Sequence, residues 1–575
     1  MGAGKTPTAG RVYPIMTVRE IEALIAEGKA ILIKDQHVLK VDAWMKFHPG
    51  GDKAIQHMVG RDATDEVNAL HSPEARAMMD RYRIGKINHR WRNLLPPIQG
   101  GVFRPLADNE HSGADDDAVE CPTKPSPSSS HASSRSPSPV FDDLTDNGED
   151  SLLRQRGGHA ASAPLRSSSS TSVTSTEDEF VDGMTLLDRR TMQEINQDLQ
   201  IYPALDDATQ ANIVDKYRQL NDRIRSEGLY DCNYFAYAIE CFRYTLFFCL
   251  FLLFLRWQWW ATSGFWLGCF WHQLVFTAHD AGHMGITHHF HADTVIGIII
   301  ADYCGGLSLG WWKRNHNVHH IVTNSPEHDP DIEHMPFFAI SHRFLGNLRS
   351  TYYERIMTYD AFAKVMLRVQ HYTYYFILLF GRFNLYRLSF EYLLGGQAPR
   401  KGPAWWHRWF ELAGQVFFWT WFGYGIVYKS IPTAWARFVF IMVSHMVTMP
   451  LHVQITLSHF AMSTAELGPA ESFPQRMLRT TMDVDCPQWL DFFHGGLQFQ
   501  AIHHLYPRIP RHNLRATQKL VQEFCEDVGI PYALYGFVGG NKKVIGRLAD
   551  VSRQAAILSK CQQVLAQSED PLHLH

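Results

Sequence analysis

Three histidine clusters, each set against a long apolar segment, restrict what this chain can fold into. His316-Asn317-Val318-His319-His320 carries imidazoles at i, i+3 and i+4, which share one face of a helix. His279-Asp280-Ala281-Gly282-His283 lies upstream and Gln500-Ala501-Ile502-His503-His504 downstream. Neutral imidazole is a ligand for iron, zinc and copper, and ligands from separate helices can enclose more than one metal. One such triplet alone reads as a surface histidine patch. Three of them, beside apolar runs, point to a membrane-embedded di-metal oxidation site.

The apolar runs decide how the clusters can meet. Segments 239–255 and 259–278 are each near the ~20 residues a span needs, and the second ends on the first cluster. Segments 410–428 and 434–457 are equally apolar. If all three clusters build one site, they face one side of the bilayer, so the number of crossings between them is even. Segment 295–309, short and carrying Asp302, is then interfacial or re-entrant. Segment 372–394, interrupted by Arg382, Asn384 and Arg387, becomes a surface or dipping helix. The expectation is an α-helical membrane domain over 231–540 with four spans and interfacial helices. An amphipathic surface helix at 200–230 precedes it, its core 207–227 ending at the natural C-cap Gly228, and a carboxy-terminal tail, 541–575, follows.

Composition sets outer limits. A chain of 575 residues exceeds one ordinary domain, and its net charge of -4 gives no reason to expect a nucleic-acid partner. Aromatics at 13%, with 16 Trp, fit a protein with many residues at a membrane interface. The nine cysteines form no Cys-x-x-Cys pair and read as reduced thiols. Residues 1–10 have no apolar core of the secretory kind, and Met1 to Thr6 fits a loose myristoylation pattern that true spans make redundant. Segment 107–179 is rich in Ser, Pro, Asp and Gly, too polar to offset chain entropy. It reads as a disordered tether, with Ser126-Pro127, Ser136-Pro137 and Ser138-Pro139 as candidate phosphorylation sites.

Residues 11–95 read as a small soluble α+β domain. Thr17, with Glu20 three residues on, caps a helix to Ala26; 30–33 and 37–41 read as strands. Phe47-His48-Pro49-Gly50-Gly51 and His71 stand on either side of two short helical segments, 52–59 and 63–70, so the two histidines suit opposite faces of a planar cofactor. The segment resembles the cytochrome b5 family in its His-Pro-Gly-Gly motif and its closing Tyr82-Arg83-Ile84-Gly85-Lys86-Ile87. That resemblance implies haem b ligated by His48 and His71, and one-electron transfer.

The three clusters, in this order and spacing, resemble the membrane fatty-acyl and sphingolipid desaturases over about 230–536. The resemblance implies a di-iron centre with His279, His283, His316, His319, His320, His503 and His504 as ligands. Gln500 stands where many members have another His, and with a fused cytochrome b5 this looks like the front-end branch. The stretch from Trp311 to His316 and on through His328-Asp329-Pro330-Asp331-Ile332 strengthens that likeness, and the Ser-rich insertion and Ile502 look most like the fungal delta-8 sphingolipid desaturases. His459 is the candidate for a further ligand at the end of the last span, with His452 nearer the helix body. His288, His289 and His291 read as surface or supporting groups, and Asp280, Asn317, Asp329 and Asp331 as groups that orient imidazoles. The family likeness implies a ceramide-type sphingolipid substrate, NADH-derived electrons from a cytochrome b5 reductase, and a multi-pass protein of the endoplasmic reticulum with termini and haem domain cytosolic. Alternatives are a front-end acyl-lipid or acyl-CoA desaturase, a lipid hydroxylase, a membrane zinc hydrolase and a non-catalytic haem tether.

Overall fold

The amino-terminal domain forms where local sequence and pattern agree. Helix α1 (Val18–Ala26) opens with a reciprocal capping box: Glu20 N–H donates to Thr17 Oγ1 (3.3 Å) and Thr17 N–H to Glu20 Oε2 (2.7 Å). Strands β1 (Ile31–Lys34), β2 (His37–Lys40) and β3 (Arg83–Lys86) pair antiparallel in that order. Asp35 and Gln36 turn the β1–β2 hairpin with φ of 48° and 59°. Ile21, Ile25, Ile31, Ile33, Val38 and Leu39 fill the core beneath. Helices α2 (Asp52–Gln56) and α3 (Thr64–Leu70) are the two arms that lead from His48 and to His71. The chain, seen here as a computed structural model, is described over residues 12–94 and 186–567. The 107–179 segment, its Ser-Pro pairs and the Met1–Thr6 pattern lie outside those residues.

The second part is helical. Helices α4 (Leu186–Ile201) and α5 (Asp207–Ser226) come first; α4 was not anticipated. α5 begins at the N-cap Asp206, whose side chain accepts from Thr209 N–H (2.9 Å), and Gly228 follows its end with φ 70°. Its buried stripe, Ile213, Tyr217, Leu220 and Ile224, packs on Met477, Leu520 and Phe524. This corrects the surface-helix expectation: protein, not lipid, covers the apolar face.

Helices α6 (Tyr234–Arg256) and α7 (Trp260–Gly282) pack as a pair, and α7 runs straight into the first histidine cluster. α8 (Phe290–Ile298) continues as a π-helical turn, Ile299–Cys304, before the chain bends by 118° into α9 (Leu309–Val322). Two acidic side chains receive the first N–H groups of α9: Leu309 donates to Asp302 Oδ2 (3.3 Å) and Gly310 to Glu411 Oε2 (3.0 Å). Those donors would otherwise be orphans, and carboxylates suit a helix N-terminus. Asp302 thus belongs to the turn that sets the direction of the second histidine helix.

Where one helix was expected at 372–394 there are two, α10 (Ala361–Leu378) and α11 (Gly381–Leu394). Then come α12 (His407–Phe418), which continues as the π-helical stretch Trp419–Ser430, and α13 (Ala434–Met446) with α14 (Met449–Phe460). By length and apolarity Tyr234–Arg256 and Ala434–Phe460 suffice to cross a membrane, and a third span results if the bent pair counts as one. Short helices α15 (Phe473–Thr480) and α16 (Gln500–Leu505), then α17 (Leu514–Val528) and α18 (Phe537–Gln567), complete the fold. The boundary expected at 540 falls inside α18. Val544, Leu548, Val551 and Ala555 bury one face of it against Leu367, Tyr374 and Leu457, so the expected tail is part of the core as far as it is described.

The haem-type domain sits on the outer face of α9. Val318, Ile321 and Val322 join its core cluster. Arg314 Nη2 pairs with Asp52 Oδ1 at 3.1 Å, Lys53 pairs with Glu354, and Arg218 Nε meets Asp65 Oδ1 at 2.9 Å. A Cβ on Gly51 would lie 2.7 Å from Arg314 Cγ, so the bare glycine, at φ 93°, permits this approach. His57, held down to about 3 by burial and the neighbouring His328, stays neutral at the junction and lies 3.0 Å from Thr351 Oγ1.

Candidate metal centre and haem site

His48 and His71 approach each other from the two arms, with ring centroids 5.8 Å apart. His48 Nδ1–H donates to Gly51 O (2.8 Å) and His71 Nδ1–H to Val67 O (3.2 Å). Those bonds select the tautomer that leaves Nε2 of each ring with its lone pair. Burial and the proximity of His48 push His71 down to about 3, which keeps it an unprotonated donor. The pair fits an iron porphyrin held between two imidazoles.

The membrane part gathers its histidines into two groups. His279 and His283 from α7, His316 from α9 and His503 from α16 place ligand atoms within 4.8 Å of one another. His319 from α9, His459 from α14 and His504 from α16 form the second group within the same limit. The i, i+4 spacing on α7 explains the first pair; the 316/319/320 pattern on α9 sends one histidine to each group and a third between them. That third is His320, whose ring lies 4.6 Å from His316, 4.8 Å from His503 and 4.2 Å from His504.

Most of these rings are deeply buried, yet His283 Nε2, His320 Nδ1, His459 Nδ1, His503 Nε2 and His504 Nε2 have no hydrogen-bond partner. An unpaired buried polar atom costs about 1–3 kcal/mol. Five of them in two neighbouring groups, with lone pairs available, make those groups suited to metal ions. Gln500, which starts the same helix as His503 and His504, also has a buried and unpartnered Oε1.

The groups behind the ligands differ from expectation in one place, Asn317. Asp329 does orient an imidazole: His319 Nδ1 lies 2.8 Å from its Oδ2. Asp331 Oδ2 is 3.6 Å from His316 Nδ1, while its Oδ1 accepts from Asn315 Nδ2. Asp280 faces His279 Nδ1 with its Oδ1 at 3.9 Å, while Arg511 and Tyr237 hold its Oδ2. Asn317 turns outward, and its Nδ2 donates to Gly50 O at 3.2 Å, across the domain junction. His288 is satisfied by the carbonyls of Met284 and Tyr230, both at 2.8 Å, and His289 and His291 also stay outside the two groups.

Several supporting residues left no local signal. Thr323 donates to His319 O (2.6 Å) and so can accept from His504 Nδ1–H (3.2 Å), which leaves His504 Nε2 free. Asn324 Nδ2 donates to the carbonyls of His459 (2.8 Å) and Thr480 (3.1 Å) and thereby ties α9 to α14. Arg511 is buried against Asp280, Glu240 and Thr277, clamping the chain after α16 onto α6 and α7. Only Thr323 and Asn324, adjacent to a cluster, could have been suspected from position.

Trp312 stacks on His316 with centroids 4.5 Å apart and contacts the rings of His279 and His283 at 5.3 Å. It occupies the space left by Gly282, where a Cβ would lie 2.1 Å from Trp312 Cζ3. Gly282→Ala therefore displaces Trp312 and, with it, His316. We expect a loss of roughly 1–3 kcal/mol of stability, the usual cost of overpacking, together with reduced iron per chain. Thermal unfolding and metal analysis check this, and an unchanged Tm with full iron content would refute it.

Two histidine groups suited to metal ions among apolar helices, with a domain that brings His48 and His71 face to face on the same scaffold, are the arrangement of a haem-fused membrane metalloprotein. The chain belongs to the fatty acid desaturase family: the family description "Fatty acid desaturase" matches residues 245–536, and "Cytochrome b5-like Heme/Steroid binding domain" matches residues 17–88. A "Delta 8-(E)-sphingolipid desaturase" of Emericella nidulans is 63% identical over 96% of this chain and 97% of its own length. One of the same description from Kluyveromyces lactis is 47% identical over 98% and 96%. An "Acyl-lipid (9-3)-desaturase" of Borago officinalis is 34% identical over 62% of this chain and 79% of its own length.

Proposed function

We propose that this chain introduces a trans double bond at C8 of the long-chain base of a ceramide-type sphingolipid. The observation that carries this reading is likeness to fungal delta-8-(E) enzymes over nearly the whole length, haem domain and linker region included. Relatives described as acyl-lipid desaturases match a smaller share of the chain at lower identity.

His48 and His71 hold haem b, and the nine residues His279, His283, His316, His319, His320, His459, Gln500, His503 and His504 hold two iron ions. Iron so bound supplies the activation of dioxygen needed to remove hydrogen from unactivated methylenes. The reaction balances as one dioxygen reduced to two waters by four electrons. Two come with two protons from adjacent methylenes of the lipid; two arrive singly through the haem domain, from NADH by way of a cytochrome b5 reductase, with two protons from solvent. His48 and His71 would hold the haem between them, and the domain would supply one-electron transfer, not oxygen activation. The ties at Asp52, Lys53 and Asp65 hold that domain in place, and the contact between Gly50 O and Asn317 Nδ2 joins the loop after His48 to the residue next to His316. Asp329 keeps His319 in one tautomer.

The four-span reading places crossings at 234–256, 260–282, 407–430 and 434–460, with the bent 290–322 unit re-entrant. Both histidine groups and the haem domain then share the cytosolic face of the endoplasmic reticulum membrane.

Expression in a host lacking this unsaturation, with mass spectrometry of long-chain bases and fatty acids, tests the reading. We expect new C8 unsaturation in the bases. Double bonds confined to fatty acids would assign the chain to acyl lipids instead.

A further inference from the structure

The segment that leaves the second metal group meets the haem-type domain at the end of α3, where His71 is presented. Arg508 comes four residues after His504 and stands between Pro507 and Pro510, whose rings fix the backbone on either side of it. Ala69, two residues before His71, is buried in one cluster with Leu505, Tyr506 and Ile509. Tyr217 of α5 stacks on Tyr506 at 5.2 Å, and its hydroxyl donates to Leu505 O (2.8 Å). Its neighbour Arg218 pairs with Asp65 on α3. The end of α3, the middle of α5 and residues 505–509 are therefore one packed unit, and Arg508 belongs to it.

Arg508 is 5% exposed, yet its Nε has no hydrogen-bond partner. Burial lowers its pKa, and the charges of Arg225, at the end of α5, and of Arg76, in the haem-type domain, act in the same direction. Among the described residues none of the three guanidinium groups has a carboxylate partner. Arg225 lies over the Tyr230 ring at 4.7 Å, Arg76 Nη1 donates to Asn68 Oδ1 (2.8 Å), and Arg76 Nε is also unpartnered. Glu74, a carboxylate whose charge reaches Arg508, is exposed to solvent and forms no ion pair with it. The charge of Arg508 is also felt at His71, after burial and the His48 ring.

A buried cation without a counter-charge is strongly disfavoured, and two further guanidinium groups beside it add to the cost. An anion completes such a site. The guanidinium fork matches a carboxylate, to which it can donate two parallel hydrogen bonds. Haem b brings that group: its porphyrin carries two carboxylate side chains on the rim, besides the iron that His48 and His71 would hold. Arg508 is the buried cation that the helical part of the chain places beside His71.

We propose that Arg508 receives a carboxylate of the haem, so that the helical part of the chain completes the haem site. This rests on the reading that His48 and His71 hold haem b. The ion pair ties the cofactor to the segment that carries His504, and docking of the domain and retention of the haem become one event. Arg508 is thus a positioning residue for the electron donor.

The test uses the full-length protein, produced without haem, held in nanodiscs and loaded with haemin or with haemin dimethyl ester, in which both carboxylates are blocked. Transfer to excess apomyoglobin gives the rate of loss of each. Arg508→Gln should speed the loss of haemin roughly tenfold, the low end for a hydrogen bond between charged groups. It should leave the loss of the ester unchanged. Arg508→Leu should behave alike, and Arg508→Lys, which keeps the charge, should recover most of the retention. Haemin loss at the wild-type rate in both the Gln and Leu variants would overturn the proposal. So would equal acceleration of haemin and ester in both, the mark of a merely structural role. The underlying reading fails differently: the unmodified protein would then bind neither compound with the spectrum of a bis-imidazole haem.

Discussion

His504→Ala takes bound iron and product away together. His504 is 1% exposed, contributes to the second metal group with His319 and His459, and has an Nε2 with no other use. Its Nδ1–H is occupied by Thr323, so the ring cannot turn to offer another nitrogen, and no neighbouring residue in that group can replace it. Changes to groups that merely support a ligand typically cost 10–100-fold in metal affinity or activity, so losing the ligand itself should exceed about 100-fold. Iron per chain should fall while haem absorbance stays at the wild-type level, because His48 and His71 lie on a separate domain. His319→Ala and His459→Ala should match it. His289→Ala, at an exposed position outside both groups, is the control and should keep its iron. Normal product from His504→Ala with full iron would remove this residue from the centre.

Substituting His71 with Ala should abolish haem binding and, in cells without separate cytochrome b5, lipid unsaturation as well. The remaining His48 would hold the haem from one arm only, with a methyl group in place of the second imidazole. The ties between the domain and the helical part involve Asp52, Lys53 and His57, which meet Arg314, Glu354 and Thr351, and none uses His71, so docking and the histidine metal centre should persist. The Soret band, iron analysis and product yield separate these effects. Adding a soluble cytochrome b5 should restore part of the product. Full unsaturation in the absence of any other cytochrome b5 would show that the fused domain is not the electron donor.

The sequence was legible where the physics is local. The Thr17/Glu20 capping box, the hairpin strands, the arms on either side of the His-Pro-Gly-Gly loop and the run of α7 into His279 all depend on neighbours within a few residues. The i, i+3, i+4 spacing of the 316–320 cluster placed three imidazoles on one face, and the structure divides them between two groups and the space between. His459 was reached only through the family likeness, and the structure brings it to His319 and His504. The sequence reading erred where an exposed face and a covered one look alike in periodicity. α5 and α18 have amphipathic patterns that suit a membrane surface or a free tail equally well, until Leu520, Phe524, Tyr374 and Leu457 are seen against them.

What the sequence determined alone is therefore the inventory: a cytochrome b5-type domain, three histidine clusters and apolar helices of spanning length. The tertiary structure decided the arrangement. It sorted the imidazoles into two groups with His320 between them, and turned Asn317 toward the haem loop and Asp280 toward Arg511. The reason is that hydrophobic periodicity reports which face is buried, whereas a side chain's partner depends on long-range packing. No local pattern encodes that choice, because residues far apart in the chain compete for the same buried donors and acceptors.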